Sequence, residues 1–341
     1  MENKKINMNE PLLEMRALRV MFPARKKYLS AVDGVGLTIH PGEIVGVVGE
    51  SGSGKSQSMY SLMGLLSDNG VIEDGSMIFD GHEISPAKFE GTQAEWEKYM
   101  EDIRGNTISM IFQDPMSFLN PVLNIEKQLC EPLIYHKNIK DKAELHKMAV
   151  ELLTQVGIPS PEERLKQYPH QLSGGMRQRV IIAIALACHP KMIIADEPTT
   201  ALDVTIQAKI LELIKKQRDR LGAGVILITH DLGVVASTCD RVNIMYGGKI
   251  VETGTADEIF YNGMHPYTQG LLSCVNNPEA EDHKLRPIPG SPPDLLAPPA
   301  GCPFVDRCEH AMKVCKLYPA PETRLSETHK VNCWLTEKGK I

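Results

Sequence analysis

The sequence predicts an α/β protein built around a largely parallel sheet. Three observations lead there. Strand-like apolar runs at Ile44–Val48, Met192–Ala195, Val225–Thr229 and Val242–Met245 are separated by helix-like stretches, the pattern of βαβ units. The first of these runs leads directly into a glycine-rich loop, Gly49-Glu50-Ser51-Gly52-Ser53-Gly54-Lys55-Ser56, and Gln57 to Leu66 can continue from it as a helix. The chain has 341 residues, 42% hydrophobic and 23% charged, which suffices for one large core plus a small appendage.

Taken in order, residues 11 to about 80 read mostly as β. Their short apolar segments are broken by turns such as Asp33-Gly34, Pro41-Gly42 and Asp80-Gly81. From Gln93 the pattern turns helical and polar, through Trp96, Tyr99 and Ile103. A helical stretch with several apolar faces then runs from Ile125 to Val156. After the three later strand-like runs comes a proline-dense link, with Pro287, Pro289, Pro292, Pro293, Pro298 and Pro299. Such a link is stiff and extended, and it sets off the last ~40 residues as a module. There is no internal repeat.

Composition excludes several functions. The longest apolar run, Val180–Cys188, falls well short of the ~20 residues of a membrane helix. The stretch Met1–Glu10 is polar and carries no secretory signal, so a cytosolic chain is expected, with any membrane role exercised through partners. Net charge is −6, and the basic runs do not exceed Arg25-Lys26-Lys27, which argues against nucleic acid as a partner. Eight cysteines in a cytosolic chain are not expected to be disulfides. Cys130, Cys188, Cys239 and Cys274 are scattered, whereas Cys302, Cys308, Cys315 and Cys333 crowd near the end.

The glycine-rich loop has the spacing G-x-x-x-x-G-K-[ST] between a strand and a helix. There, backbone N–H groups point at a β-phosphate and the helix N-terminus adds its positive end. Lys55 is placed to reach the β- and γ-phosphates, and the Ser56 hydroxyl to bind Mg²⁺. An ordinary glycine-rich turn is the bland alternative, and the correct flanks disfavour it. The run Met192–Ala195 ends in Asp196 and Glu197. At a buried strand's carboxyl end Asp196 can hold Mg²⁺ through its water shell, and Glu197 can polarise a water for attack on the γ-phosphate. Leu172-Ser173-Gly174-Gly175-Met176-Arg177-Gln178-Arg179, leading into an apolar helix, forms a second anion-binding helix start. Two such starts in one chain suggest that the second serves another chain's nucleotide.

At these residues the sequence resembles an ABC-transporter ATPase subunit, over about residues 12–270. Further motifs match in order: Gln113 in Ile-Phe-Gln-Asp-Pro, Asp203 in Ala-Leu-Asp, and His230 in Ile-Thr-His-Asp. The resemblance implies a phosphate-loop NTPase fold with an antiparallel β subdomain and a helical subdomain at about 93–185. It also implies two subunits meeting head to tail around two ATP molecules. Lys55, Glu197, His230 and Gln113 would then be catalytic, and Ser56, Gln113 and Asp196 would hold Mg²⁺. Gly49 to Ser56 and Gln57 would bind the nucleotide, while Ser173, Gly174, Gly175 and Asp203 would serve the composite site. Met176 and Gln57 depart from the commoner Gln and Thr, at positions where backbone groups do most of the binding. Phe22 and Tyr28 both lie at plausible distances upstream to stack on adenine, with Phe22 preferred.

The spacing Cys302-x₅-Cys308-x₆-Cys315-x₁₇-Cys333 places four thiols in a module too small for a solid core of its own. Four cysteines can hold Zn²⁺ or an iron–sulfur cluster, and the C-x₂₋₄-C knuckle usual for zinc is missing. The segments Ile288-Pro-Gly-Ser-Pro-Pro, Cys-Pro-Phe-x-x-Arg-Cys and His265-Pro-Tyr-Thr resemble the extension of ATPases driving oligopeptide and dipeptide importers. That resemblance assigns 271–341 to the extension and implies a 4Fe–4S cluster on the four cysteines, with zinc or metal-free thiols as alternatives. The expected function is therefore ATP-driven uptake of dipeptides or oligopeptides, with nickel, opines and glutathione as related cargoes. The implied partners are a second ATPase subunit (the same or a related chain), two integral-membrane permeases and an extracytoplasmic peptide-binding protein. Such a chain sits peripherally on the cytoplasmic face of the membrane. The alternative is a soluble ABC ATPase of iron–sulfur assembly or nucleic-acid maintenance.

Overall fold

The structure, a computed structural model, describes residues 10–113, 118–199, 203–274 and 288–337. Of the motif residues quoted above, Asp114, Pro115, Ala201, Leu202 and Pro287 lie outside the described residues. The chain divides into two compact units. One contains Pro11–Ile39, Ile44–Glu90 and Thr229–Ile341; the other contains His40–Glu43 and Gly91–Ile228. We call the first the phosphate-loop unit and the second the helical unit.

The phosphate-loop unit begins with an antiparallel sheet. Strands β1 (Leu13–Ala24) and β2 (Lys27–Ile39) pair as a hairpin; after β3 (Ile44–Val48), β4 (Val71–Phe79) pairs with β1 and the short β5 (His82–Glu83) with β4. The sheet order is β2-β1-β4-β5. The inward residues of β1 are Leu13 and Met15, then Leu18 and Val20. That step of three is a bulge: the register shifts between Met15 and Leu18, and Ala17 has φ 49°. The bulge keeps the apolar side chains on one face. Gly75 on β4 is required opposite it, because a Cβ there would come within 2.7 Å of Leu18 Cα. Every residue of β3 is buried, as a parallel strand covered on both faces must be.

In the helical unit, β6 (Ile108–Ile111), β7 (Met192–Asp196) and β8 (Gly224–Ile228) form a parallel ladder. Strand β6 has only four residues and gives no distinct signal in the sequence. The stretch expected to be helical from Ile125 to Val156 is two helices, Ile125–Lys137 and Lys142–Gln155. Asn138 takes the left-handed conformation that ends the first, and the Asp141 carboxylate accepts from the Ala143 N–H to start the second. Helix Gln93–Ile103 starts with a capping box between Thr92 and Glu95.

Back in the phosphate-loop unit, helix Leu232–Thr238 leads into β9 (Arg241–Tyr246), which lies parallel to β3. A Gly247-Gly248 turn reverses the chain into β10 (Lys249–Thr255). The C-terminal segment adds β11 (Glu322–Arg324) and β12 (Lys330–Asn332), with β12 antiparallel to β10. The proline-dense link also touches this unit, since the Leu295 carbonyl accepts from the Ser30 N–H of β2 at 3.0 Å. Among the described residues no helix is long and apolar enough to cross a membrane.

Candidate active site

The loop after β3 is shaped by its glycines. A Cβ on Gly49 would stand 2.0 Å from the Met245 carbonyl oxygen of β9, and one on Gly54 would stand 2.4 Å from that of Ala31. Gly52 and Gly54 have φ 78° and 98°, values that side chains rarely permit. The helix Lys55–Met63 starts at once, and Gly54 is its N-cap. This is shorter than the Gln57 to Leu66 continuation read from sequence; Gly64, left-handed at φ 61°, stops it. Lys55 is buried, and its Nζ donates to the Gly49 and Glu50 carbonyls at 2.8 Å each. The ammonium thus lies against the loop that a phosphate would fill. Ser53 is buried, Ser56 and Gln57 are half-buried, and Ser51 and Gly52 are exposed. Phe22 is half-buried, with its ring against Gly70, while Tyr28 is exposed.

In the helical unit, β7 delivers Asp196 and Glu197 at its carboxyl end. Asp196 is buried. Glu197 adopts φ 46°, and its N–H donates to the Ile228 carbonyl at 2.9 Å, extending the ladder past the strand end. A non-glycine residue held there carries roughly 1–2 kcal/mol of backbone strain, of the kind that accompanies functional positions. The Gln113 amide nitrogen donates to Glu197 Oε2 at 2.9 Å. Two residues 84 apart in sequence, both assigned to the γ-phosphate end, therefore meet.

Three further sequence-derived residues stand at helix starts. Ser173 caps Gly174–Leu186, its hydroxyl accepting from the Met176 N–H at 3.3 Å. Beside it Gly174 faces open space, with nothing within 4 Å of an added Cβ, and Gly175 follows, half-buried. Asp203 caps Val204–Leu221 by accepting from the Ile206 N–H at 3.0 Å. In the phosphate-loop unit, Asp231 accepts from Gly233 and Val234 and caps the helix after β8; His230, just before it, is exposed.

A sequence profile described as "ABC transporter" matches residues 32–200, and one described as "Oligopeptide/dipeptide transporter, C-terminal region" matches residues 251–315. Over 331 residues the chain is 50% identical to the dipeptide transport ATP-binding protein DppD of Bacillus subtilis, covering 96% of each. The chain belongs to the ABC transporter family. It is also 48% identical to the oligopeptide transport ATP-binding protein OppD of Salmonella typhimurium, over 91% of this chain and 90% of that one. Among solved structures it resembles a dimeric ATP-binding cassette in a post-hydrolysis state bound to ADP and Pi. The TM-score is 0.63 with 28% identity, covering 72% of this chain and 98% of that one. The fold is that of an ABC ATPase, with its α/β core, antiparallel sheet and helical part.

The four clustered cysteines of this family member form no disulfide. All four line one cavity of about 20 Å³, together with His265. Among the described residues no group of three or more His, Cys, Asp or Glu side chains is arranged to hold a metal ion. The expectation of a cluster therefore finds no ready ligand set. Burial, reinforced by the other three thiols, pushes the Cys302 thiol up to about 12, and burial also raises Cys308 and Cys333. Buried His265 is lowered to about 3 by loss of solvation. Its Nδ1 accepts from the Tyr267 N–H at 3.0 Å, so the neutral ring carries its proton on Nε2, a buried atom with no hydrogen-bond partner.

Sequence reasoning missed a set of residues beside the loop. The Glu50 N–H donates to the Tyr267 hydroxyl oxygen at 2.9 Å, and Arg307 Nη1 donates to Glu50 Oε2 at 2.7 Å. In the sequence Tyr267 and Arg307 stand only as letters of family-like segments. Their position in those segments was the available signal, and no local pattern says what they touch.

Proposed function

We propose that this chain is the ATP-hydrolysing subunit of an importer for dipeptides or oligopeptides. The observation that carries the reading is the Gln113–Glu197 hydrogen bond. It brings a candidate γ-phosphate sensor onto a candidate base, an arrangement with a use in hydrolysis and none in mere nucleotide storage. The Gly49–Ser56 loop holds the triphosphate through backbone N–H groups, with Lys55 exchanging its carbonyl partners for phosphate oxygens. Ser56, Asp196 and Gln113 would hold Mg²⁺, which would supply positive charge to the triphosphate. Glu197 accepts the proton of the attacking water, and His230 hydrogen-bonds the γ-phosphate. Phe22 stacks on adenine. Ser173, Gly174 and Gly175 cap a nucleotide held by a facing subunit, with Asp203 beside that junction; the exposed Ser173 and the open space at Gly174 support this.

Residues 12–270 form the nucleotide-binding domain, with a helical subdomain at about 93–185, and 271–341 form the extension. Peptide cargo is supported by the match at 251–315 and by relatives named for dipeptide and oligopeptide transport. The same relatives disfavour a soluble ATPase without a transport role. The chain works on the cytoplasmic face, through permease subunits and a peptide-binding protein. For the cysteines we keep the 4Fe–4S reading over zinc. What supports it is the convergence of all four cysteines on one cavity, which would have to widen from about 20 Å³ to take a cluster. Cys302, Cys308, Cys315 and Cys333 would hold the cluster, which would supply a covalent staple to a segment with little core.

The test is reconstitution with the two permeases in vesicles, with and without the peptide-binding protein. Peptide-stimulated ATP hydrolysis with peptide accumulation is the expected result. Hydrolysis indifferent to peptide and permease would overturn the transport assignment. Iron and sulfide analysis of anaerobically purified protein tests the cluster, and iron-free protein would end that reading.

A further inference from the structure

A loop that must accept a polyphosphate carries, at its second position, a carboxylate. Glu50 is 26% exposed at its side chain and ion-paired with Arg307 at 2.7 Å. Arg307 lies 257 residues further on, between Cys302 and Cys308 of the C-terminal segment, and its side chain is only 6% exposed. Each nitrogen of its guanidinium is engaged. Besides Glu50, Nη1 donates to the Tyr246 hydroxyl at 3.0 Å, Nε to the Pro289 carbonyl at 2.8 Å and Nη2 to the Ile288 carbonyl at 3.1 Å. The group also sits 5.7 Å from the ring centre of Tyr246 and 5.8 Å from that of Phe304.

The same network fixes the loop backbone. Tyr267 accepts the Glu50 N–H and packs on Tyr246 with ring centres 4.4 Å apart. The turn after Tyr246 returns to the loop, where the Gly248 N–H donates to the Ser53 carbonyl at 3.1 Å. The C-terminal segment thus reaches the second residue of the phosphate loop by a charged contact in a mostly dry setting, where Coulomb effects are stronger than in water. A planar fork with this many fixed acceptors suits Arg and not Lys.

We propose that Arg307 is a positioning residue of the nucleotide site: it neutralises Glu50 and holds the loop in register, so that an acidic loop can take a polyanion. The inference rests on the ATP reading above, and it makes the C-terminal segment part of the binding site's electrostatics. Two contributions follow. Loss of Arg307 leaves a loop carboxylate uncompensated, and it loosens the loop backbone that Tyr267, packed on Tyr246, supports.

The test is a double-mutant cycle on the full-length chain, with Mg-ATP as the probe, read by titration calorimetry and by the split between KM and kcat. Arg307→Met is expected to weaken ATP binding about tenfold, the size of one uncompensated charge near a partly exposed site. It should raise KM with kcat nearly unchanged. Glu50→Gln alone supplies the second arm of the cycle, and its own effect on affinity is measured and subtracted. The decisive outcome is the double variant: with the carboxylate gone, most of the lost affinity should return. A double variant as weak as Arg307→Met, or weaker, would show that Arg307 only staples the fold, and unchanged binding in Arg307→Met would overturn the proposal outright. If Arg307→Met fails to fold, Arg307→Lys replaces it, with a smaller loss that Glu50→Gln should again cancel; no loss, or no cancellation, counts against the proposal. Wild-type protein is measured alongside. Its failure to bind ATP would overturn the ATP reading and this inference together, whereas normal wild-type binding with indifferent variants sinks only this inference.

Discussion

The two units hold their assigned residues in different ways. In the phosphate-loop unit Lys55, Ser53 and Gly54 are buried, Gly49 and Gly54 abut backbone carbonyls, and Lys55 and Glu50 each have fixed partners. In the helical unit Gln113, Ser173 and Asp203 are exposed and Glu197 is half-buried. Ser173 and Asp203 are spent on capping their own helices. The residues proposed to bind the triphosphate are therefore held by fixed partners, whereas several of those proposed for hydrolysis or for a facing subunit stand open, Asp196 excepted. That division suits an enzyme whose chemistry is completed only when another subunit arrives, because open groups then cannot turn over ATP unproductively.

The contrast is most severely tested at Glu197. Glu197→Gln keeps the side chain's size, and its carbonyl can still accept from Gln113. ATP binding should persist while turnover falls at least ~10²-fold, the lower end for losing a positioned base. Near-normal turnover would remove Glu197 from that role, and with it the division of labour. On the binding side, Lys55→Ala should weaken ATP affinity about 10–100-fold, the range for losing hydrogen bonds from a charged donor. Equilibrium binding to Mg-ATP measures it directly, and unchanged affinity would contradict the phosphate-loop assignment.

Two glycines sharpen the same comparison. Gly49→Ala places a methyl 2.0 Å from the Met245 carbonyl oxygen, a backbone clash that no rotamer relieves. It should cost stability by about 1–3 kcal/mol, as overpacking does, and abolish ATP binding. Gly174→Ala meets nothing within 4 Å and starts a helix, so the melting temperature of the chain should hold or rise slightly. ATP-dependent dimerisation, followed by light scattering in a Glu197→Gln background, should nevertheless fall if a facing subunit closes there. Normal dimerisation in that variant would show that the open space is merely surface.

Legibility in the sequence follows the same line. The β3–loop–helix unit and the acids ending β7 are contiguous, so spacing alone exposes them. The Gln113–Glu197 contact spans 84 residues, yet it was reachable because both belong to ordered motifs. Arg307 and Tyr267 were not legible as loop partners, since the contacts span 257 and 217 residues and depend on where β9 and the C-terminal segment pack. The bulge at Ala17 and the break at Asn138 were missed for another reason. Each is a single left-handed residue that a period count smooths over.

The smallest effect concerns an ion-pair relay in the helical unit. His146 Nδ1 lies 2.6 Å from Glu126 Oε1 and its Nε2 lies 2.7 Å from Glu162 Oε2, joining helix Lys142–Gln155 to its neighbours on both sides. Hydrogen bonds to Glu126 and then Glu162 raise His146 above the usual 6.5. A raised pKa means that the folded chain holds the proton more tightly than the unfolded one. Its stabilisation is thus complete below about 6.5 and disappears as pH climbs through the higher folded value. Because 37% of the imidazole is exposed, the benefit is small, within ~2 °C of melting temperature for a pair this open to solvent. Melting curves from pH 6 to 8.5 should show wild type losing that margin relative to His146→Gln as pH rises. Parallel curves for the two proteins would show that the relay carries no net stability, leaving the buried apolar seam of these helices, Leu129, Leu133, Ala149 and Leu153, to hold the unit by itself.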